Sequence, residues 1–163
     1  MSHLNTLNNK IYSLENLKNQ VATWKNSGEK VVFTNGCFDI VHRGHIEVLA
    51  STADLGSKFI IGLNSDSSIK NLKGESRPII DEQSRAVLLA ALSFVDAVVL
   101  FSEETPLNLI STLMPDVLAK GGDYEIETIV GHKIVQNNGG EVVLVPFIDG
   151  YSSTNIIDKI KNT

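Results

Sequence analysis

Val31-Val32-Phe33-Thr34-Asn35-Gly36-Cys37-Phe38-Asp39-Ile40-Val41-His42-Arg43-Gly44-His45 reads as a strand that ends, a loop that opens a pocket and a helix that begins on two imidazoles. The apolar run at its start suits a strand covered on both faces, and Thr34 to Asp39 has the composition of a turn. Residues three apart on a helix share a face, so His42 and His45 point at one spot. A helix N-terminus adds unpaired backbone N–H groups and a positive dipole end, both suited to an anion. Gly44, lacking a Cβ, lets a ligand come close to the backbone. Two imidazole donors over such a site suit a phosphate that gains charge during reaction. An HxxH pair is also half of a metal site. The strand before it and the Asn35-Gly36-Cys37-Phe38-Asp39 loop supply the context that the phosphate reading requires.

Outward from this stretch, strands and helices alternate. Residues 30–34 form the first strand, and the helix that starts on the imidazoles runs over 45–55 to a stop at Gly56. A second strand at 59–63 ends in Asn64-Ser65-Asp66. Asp81 caps a helix reaching Ser93, and 97–101 is a strand. Thr105-Pro106 reads as an N-cap with proline at the first helical position. Val117-Leu118-Ala119 is a short strand running into Lys120-Gly121-Gly122-Asp123-Tyr124. A helix is predicted over 127–136 and a last strand over 142–145. Ser152 or Ser153 then caps a final helix to about Ile160. Upstream, Leu14, Leu17, Val21 and Trp24 have helical spacing, with Gly28 as the stop. The alternation predicts an α/β fold, a Rossmann-like doubly wound parallel sheet of about five strands with helices on both faces. Residues 30–163 make the domain, and 1–29 an extension with one helix.

Composition narrows the function. At 163 residues the chain is one ordinary domain, and 42% hydrophobic with 20% charged residues is usual for a globular protein. No apolar run reaches the ~20 residues of a membrane span. The polar N-terminus lacks the apolar core of a secretion signal, and a single cysteine permits no internal disulfide, so a cytoplasmic protein is expected. A net charge of −5 argues against a broad nucleic-acid footprint. Yet all three arginines, Arg43, Arg77 and Arg85, fall in one stretch that begins inside the histidine motif. An acidic chain arranged in this way suits one small anionic ligand. There is no GxxxxGK[ST] and no GxGxxG after the first strand, which excludes a P-loop NTPase and disfavours a dinucleotide oxidoreductase.

Doubly wound sheets bind ligands beyond the carboxyl ends of their strands. Four segments after strands therefore converge: 35–39, 64–66, 120–124 and 149–154. Nucleotidyl transfer fits such a site, because it asks for positioning and charge stabilisation rather than covalent chemistry. His42 and His45 are the candidate donors to triphosphate oxygens. Lys73 and Arg77, in the Gly- and Pro-containing stretch 73–78, are candidates to close over phosphates, or belong to an ordinary solvated loop. Ser152-Ser153-Thr154 either binds phosphate or only caps a helix. Asp39 either holds the nucleotide loop or a metal-bound water, or is structural. Cys37 is a nucleophile, a metal ligand or a small packed residue. No protein-held metal site is expected. Mg²⁺ is expected to arrive on the triphosphate, since it usually sits on substrate phosphates with few protein ligands.

The HxGH string resembles the signature of the nucleotidyltransferase superfamily. Residues 30–160, through Phe33-Thr34-Asn35-Gly36-Cys37-Phe38-Asp39, His42-Arg43-Gly44-His45, Asn64-Ser65-Asp66, Lys73-Gly74, Arg77-Pro78, Lys120-Gly121-Gly122-Asp123-Tyr124 and Gly150-Tyr151-Ser152-Ser153-Thr154, resemble the heptose-1-phosphate adenylyltransferases. The resemblance implies ATP and a heptose 1-phosphate as substrates, ADP-heptose and pyrophosphate as products, and a place in making lipopolysaccharide precursors. It implies His42, His45 and Lys73 in catalysis, and Asn35, Gly36, Cys37, Phe38, Asp39, Gly44, Lys120, Gly121, Gly122, Asp123, Ser152, Ser153 and Thr154 around the nucleotide. Asn64, Asp66 and Arg77 would face the sugar phosphate. A homodimer, and a sugar kinase on a separate protein, are further implications. The glycerol-phosphate cytidylyltransferases are the alternative. They typically bring an Arg-Thr pair where this chain has Phe147-Ile148. A nucleotide-binding module without turnover is the other alternative, and it would not need both imidazoles.

Overall fold

A computed structural model describes residues 2–146 and 150–162. In chain order the elements are α1 (His3–Asn8), β1 (Ile11–Tyr12), α2 (Leu14–Asn26), β2 (Val31–Gly36), α3 (Arg43–Ala53), β3 (Lys58–Asn64), α4 (Asp66–Lys73), α5 (Glu82–Ala90), β4 (Ala97–Phe101), α6 (Leu107–Leu113), β5 (Val117–Gly121), a 3₁₀ turn (Ile126–Thr128), α7 (His132–Asn137), β6 (Glu141–Val145) and α8 (Ser153–Lys161). The sheet has six strands in the order β1-β4-β3-β2-β5-β6, every neighbouring pair parallel. The Rossmann-like class expected from the alternation is what forms. The sixth strand is the two-residue β1, which joins the edge through Ile11 opposite Val98.

Alternate residues of each strand supply two cores. Val31, Phe33, Ile60, Val99 and Leu118 pack with Leu17 and Val21 of α2, Leu109 and Leu113 of α6 and Val135 of α7. Val32, Phe59, Ile61, Val98 and Val117 face the other way, onto Leu49 of α3 and Ala86 and Leu89 of α5. Burial on both faces explains the uninterrupted apolar strands. The stretch before residue 30 is part of this domain, since Leu17 is wholly buried and β1 extends the sheet. It carries two helices and a strand where one helix was expected. No helix among the described residues is long and apolar enough to cross a membrane.

Three local readings are corrected. The helix expected over 127–136 breaks at Gly131 (φ +86°), leaving the 3₁₀ turn and the short α7. Pro106, not Thr105, holds the N-cap position of α6, with no side-chain cap. Asn64-Ser65-Asp66 opens a helix rather than a loop: Ser65 caps α4 by accepting from Ser68 N–H, and Lys73 is the last helical residue before Gly74 (φ +93°).

The chain steps from β2 outward to β3 and β4, then returns to place β5 on the other side of β2. That reversal parts the loops after β2 and β5, which is where such sheets open a ligand crevice.

Candidate active site

A cleft of about 680 Å³ occupies this switch point. Its walls come from residues 34–39 after β2, from the start of α3, from Lys120, Gly121 and Tyr124 after β5, from Lys73 and Arg77, and from 150–155 at the start of α8. The segments expected to converge do so, except the one after β3.

His42 is the N-cap of α3, and its Nδ1 accepts the His45 backbone N–H at 3.4 Å. In the neutral ring that leaves the proton on Nε2, a donor available to a ligand. The two imidazoles stack, with centroids 3.9 Å apart and planes inclined by 26°. Phe38 meets His45 edge-on at 5.4 Å. Nδ1 of His45 is buried and makes no hydrogen bond of good geometry among the described residues. Burial pushes the His45 pKa down to about 4; the His42 and Lys73 charges add to this, and the Ile40 backbone opposes it without outweighing them. Burial also lowers His42. Both rings thus enter neutral near pH 7, and an arriving polyanion favours protonating them.

Gly44 serves these rings directly. A Cβ there would lie 2.8 Å from Tyr151 Cβ and 3.2 Å from His42 Nδ1. Its lack of a side chain makes room for the His42 imidazole and for Tyr151, beyond any approach of ligand to backbone. Gly36 has a similar role, since a Cβ would stand 2.9 Å from the Phe38 ring. Phe38 itself sits at φ +45°, a conformation uncommon outside glycine, which turns its ring back under His45.

Asp39 is nearly buried, and both of its oxygens are engaged. Oδ1 accepts from the Ile79 and Ile80 N–H groups at 2.7 and 3.0 Å, and Oδ2 accepts from Arg77 Nε. Burial raises its pKa, but the hydrogen bonds from Ile80, Arg77 and Ile79, with the guanidinium charge, outweigh that and hold the carboxyl below its usual value. Asp39 therefore fastens the 77–80 segment to the loop after β2, and Arg77, though it lines the cleft, is committed to that bond. Lys120 reaches Asn35, its Nζ donating to the side-chain oxygen at 3.3 Å and to the carbonyl at 3.4 Å. Desolvation lowers the Lys120 pKa, and the nearby Cys37 partly opposes this. Cys37 is half-buried on the cleft wall, and its carbonyl accepts from Arg85.

Several expected contacts are made elsewhere. Asn64 is 4% exposed, outside the cleft, and donates to Ser68 Oγ. Asp66 also lies outside and pairs with Arg85 at 2.7 Å. Arg85 is wholly buried, donating also to the carbonyls of Ile80, Cys37 and Asn64, so it ties strand ends together and faces no ligand. Gly122 turns away at φ +116°, its N–H donating to Val145, and the exposed Asp123 follows it outside the cleft. Ser152 and Ser153 line the cleft, but Ser152 Oγ caps α8 by accepting from Asn155 N–H and Ser153 Oγ donates to the Ile40 carbonyl at 3.1 Å. Thr154 is the exposed hydroxyl of the three. Phe147, Ile148 and Asp149 lie outside the described residues. The aromatic lining, Tyr124 beneath Lys120 and Tyr151 beside His42, was missed. Both tyrosines stood inside quoted motifs, but nothing in their spacing marked them as facing a ligand.

No group of three or more His, Cys, Asp or Glu side chains among the described residues could hold a metal ion.

Comparison with known proteins agrees with this geometry. Residues 33–159 match the model of the cytidylyltransferase-like family. Two relatives, each named bifunctional protein HldE, come from Geobacter sulfurreducens and Geobacter metallireducens. They are 52% and 54% identical over 151 residues, 93% of this chain and 31% of theirs. The chain thus spans about a third of the length of the curated relatives it matches. The crystal structure of the lipopolysaccharide core biosynthesis protein from Thermoplasma volcanium superposes with a TM-score of 0.64 at 27% identity, covering 75% of this chain and all of that one. The chain belongs to the cytidylyltransferase-like family.

Proposed function

We propose that this protein is an adenylyltransferase that joins ATP to a heptose 1-phosphate, releasing pyrophosphate and forming ADP-heptose for lipopolysaccharide precursors. A phosphate oxygen of the sugar attacks the α-phosphorus of ATP. The new P–O bond forms as the bond from the α-phosphorus to the bridging oxygen breaks, and pyrophosphate carries that electron pair away. The observation that carries the reading is the stacked His42–His45 pair on the first turn of α3, facing a cleft that Lys73 and Lys120 also line. His42 Nε2–H and the His45 ring would donate to triphosphate oxygens as their charge grows. Such preorganised donors need no rearrangement in the transition state. Lys73, exposed at the end of α4, would meet the phosphates, and Lys120 would keep the Asn35 loop in place beneath the nucleotide.

Mg²⁺ would come with the triphosphate. The described residues do not make a site for it, because Asp39 gives both oxygens to Arg77 and to the backbone of 79–80. No step is assigned to it.

Heptose as the acceptor rests on the Lys120-Gly121-Gly122-Asp123-Tyr124 string and on the relatives' names. The family's description keeps CTP as the competing nucleotide. The test is pyrophosphate release by the purified protein over ATP and CTP, each paired with heptose 1-phosphate and glycerol 3-phosphate. ATP with heptose 1-phosphate should be the fastest pair. CTP with glycerol 3-phosphate proving fastest would replace this reading with the cytidylyl one.

A further inference from the structure

Resting on the reading above, in which His42 donates to the triphosphate, we infer that Tyr151 is a positioning residue: its ring holds the His42 imidazole in the stacked, helix-capping orientation that leaves Nε2 for substrate. The ring of Tyr151 lies 6.3 Å from that of His42 with planes 24° apart, and His42 lies 3.9 Å from His45 with planes 26° apart. Phe38 closes the far side of His45 edge-on. The pair is thus held between two aromatic rings, one from the loop after β2 and one from the opposite end of the chain. Centroid separations of ~4.5–7 Å are the range of favourable ring contacts.

His42 needs such a support. Its single side-chain hydrogen bond is the 3.4 Å contact from His45 N–H, which is long for a bond of this kind. Tyr151 is itself anchored. The Arg43 guanidinium lies 5.8 Å from its ring centroid, with Nη1 3.4 Å from the hydroxyl, and Arg43 is paired with Glu47. The absence of a Cβ at Gly44 is what lets the Tyr151 backbone approach α3 so closely. At 43% exposure the tyrosine is no part of the core, so its removal leaves folding largely alone.

The experiment compares the parent with Tyr151→Phe and Tyr151→Ala in steady-state kinetics, with the His42 imidazole followed by NMR titration. Tyr151→Phe keeps the flat ring and should retain the parent's kcat. Tyr151→Ala should lose about tenfold to a hundredfold in kcat, the scale of a slightly misplaced catalytic group, with the nucleotide KM little changed. Its His42 titration should move up toward the ordinary value, because the ring that buries the imidazole is gone. The other charged groups around the pair, His45, Arg43 and Lys73, are common to all three proteins. A raised KM with kcat intact would mean that Tyr151 touches substrate instead, and would overturn the inference. So would an unchanged kcat in Tyr151→Ala. A parent that fails to release pyrophosphate overturns the functional reading, and the titration then judges the stack by itself, an unmoved His42 overturning it.

Discussion

His45 is a base that burial has nearly stripped of its proton, placed where a polyanion is expected. That combination makes it the residue whose loss should be felt most. His45→Gln should lower kcat by about 10²–10³, the usual loss for one preorganised donor, with thermal unfolding near pH 7.5 close to the parent's. A collapse of the fold would instead make His45 a core residue. The same depressed pKa predicts a pH signature. The unfolded chain protonates this ring near the model value of 6.5, and the folded chain only near 4. Between those values the unfolded state binds more protons, so stability falls as pH drops through that window and is fully present above it. His42 is shifted in the same direction. Thermal melts from pH 7.5 to 4.5 should therefore decline less steeply for His45→Gln than for the parent; identical slopes would show that the imidazole is not desolvated. At this scale the sequence was informative about which residues stand at the site and uninformative about which are already committed. Asp39, Arg77, Ser152 and Ser153 line the cleft, yet each spends its polar atoms on holding loops together. Chain-local spacing cannot show a bond such as that from Ser153 to Ile40, whose partners meet only after folding.

Elements with a strong apolar pattern were legible, and short or polar ones were not. The central strands are buried on both faces, and α2 places Leu17 and Val21 in the core at helical spacing. By contrast, α4 buries only Ser68 and Ile69, and α1 buries nothing, so neither carries a readable stripe. The reading of Asn64 and Asp66 as ligand groups failed for that reason: the helix that begins there turns them toward Ser68 and Arg85. Gly131 shows the reverse case, one residue deciding an element. Its φ of +86° stops any helix from running through, and a Cβ would fall 2.8 Å from Ile110 Cδ1. Gly131→Ala should destabilise the protein by about 1–3 kcal/mol through backbone strain and crowding. Gly131 does not line the cleft, so kcat should stay at the parent's level. Calorimetry and a turnover assay on one preparation check both parts, and a lowered kcat in fully folded protein would show coupling between this turn and the cleft.

Across the whole molecule, the order β1-β4-β3-β2-β5-β6 sets where chemistry can happen. Only between β2 and β5 do the connections part, and the loops that follow those two strands carry the Asn35–Lys120 contact, with the imidazole pair beside it. The parallel, doubly wound class follows from alternation alone, and with it the crevice at the switch point. The two-residue edge strand β1 and the aromatic sandwich around the imidazoles need three dimensions to be seen. The central claim is that this crevice directs attack at the α-phosphorus of ATP. It is tested most directly by ATP labelled with ³²P at the α position, incubated with the protein and heptose 1-phosphate, with the products separated. The label should appear in the sugar nucleotide, and the pyrophosphate should be unlabelled. Label remaining in ADP while the sugar gains an unlabelled phosphate would mean attack at the γ-phosphorus, and would contradict the account.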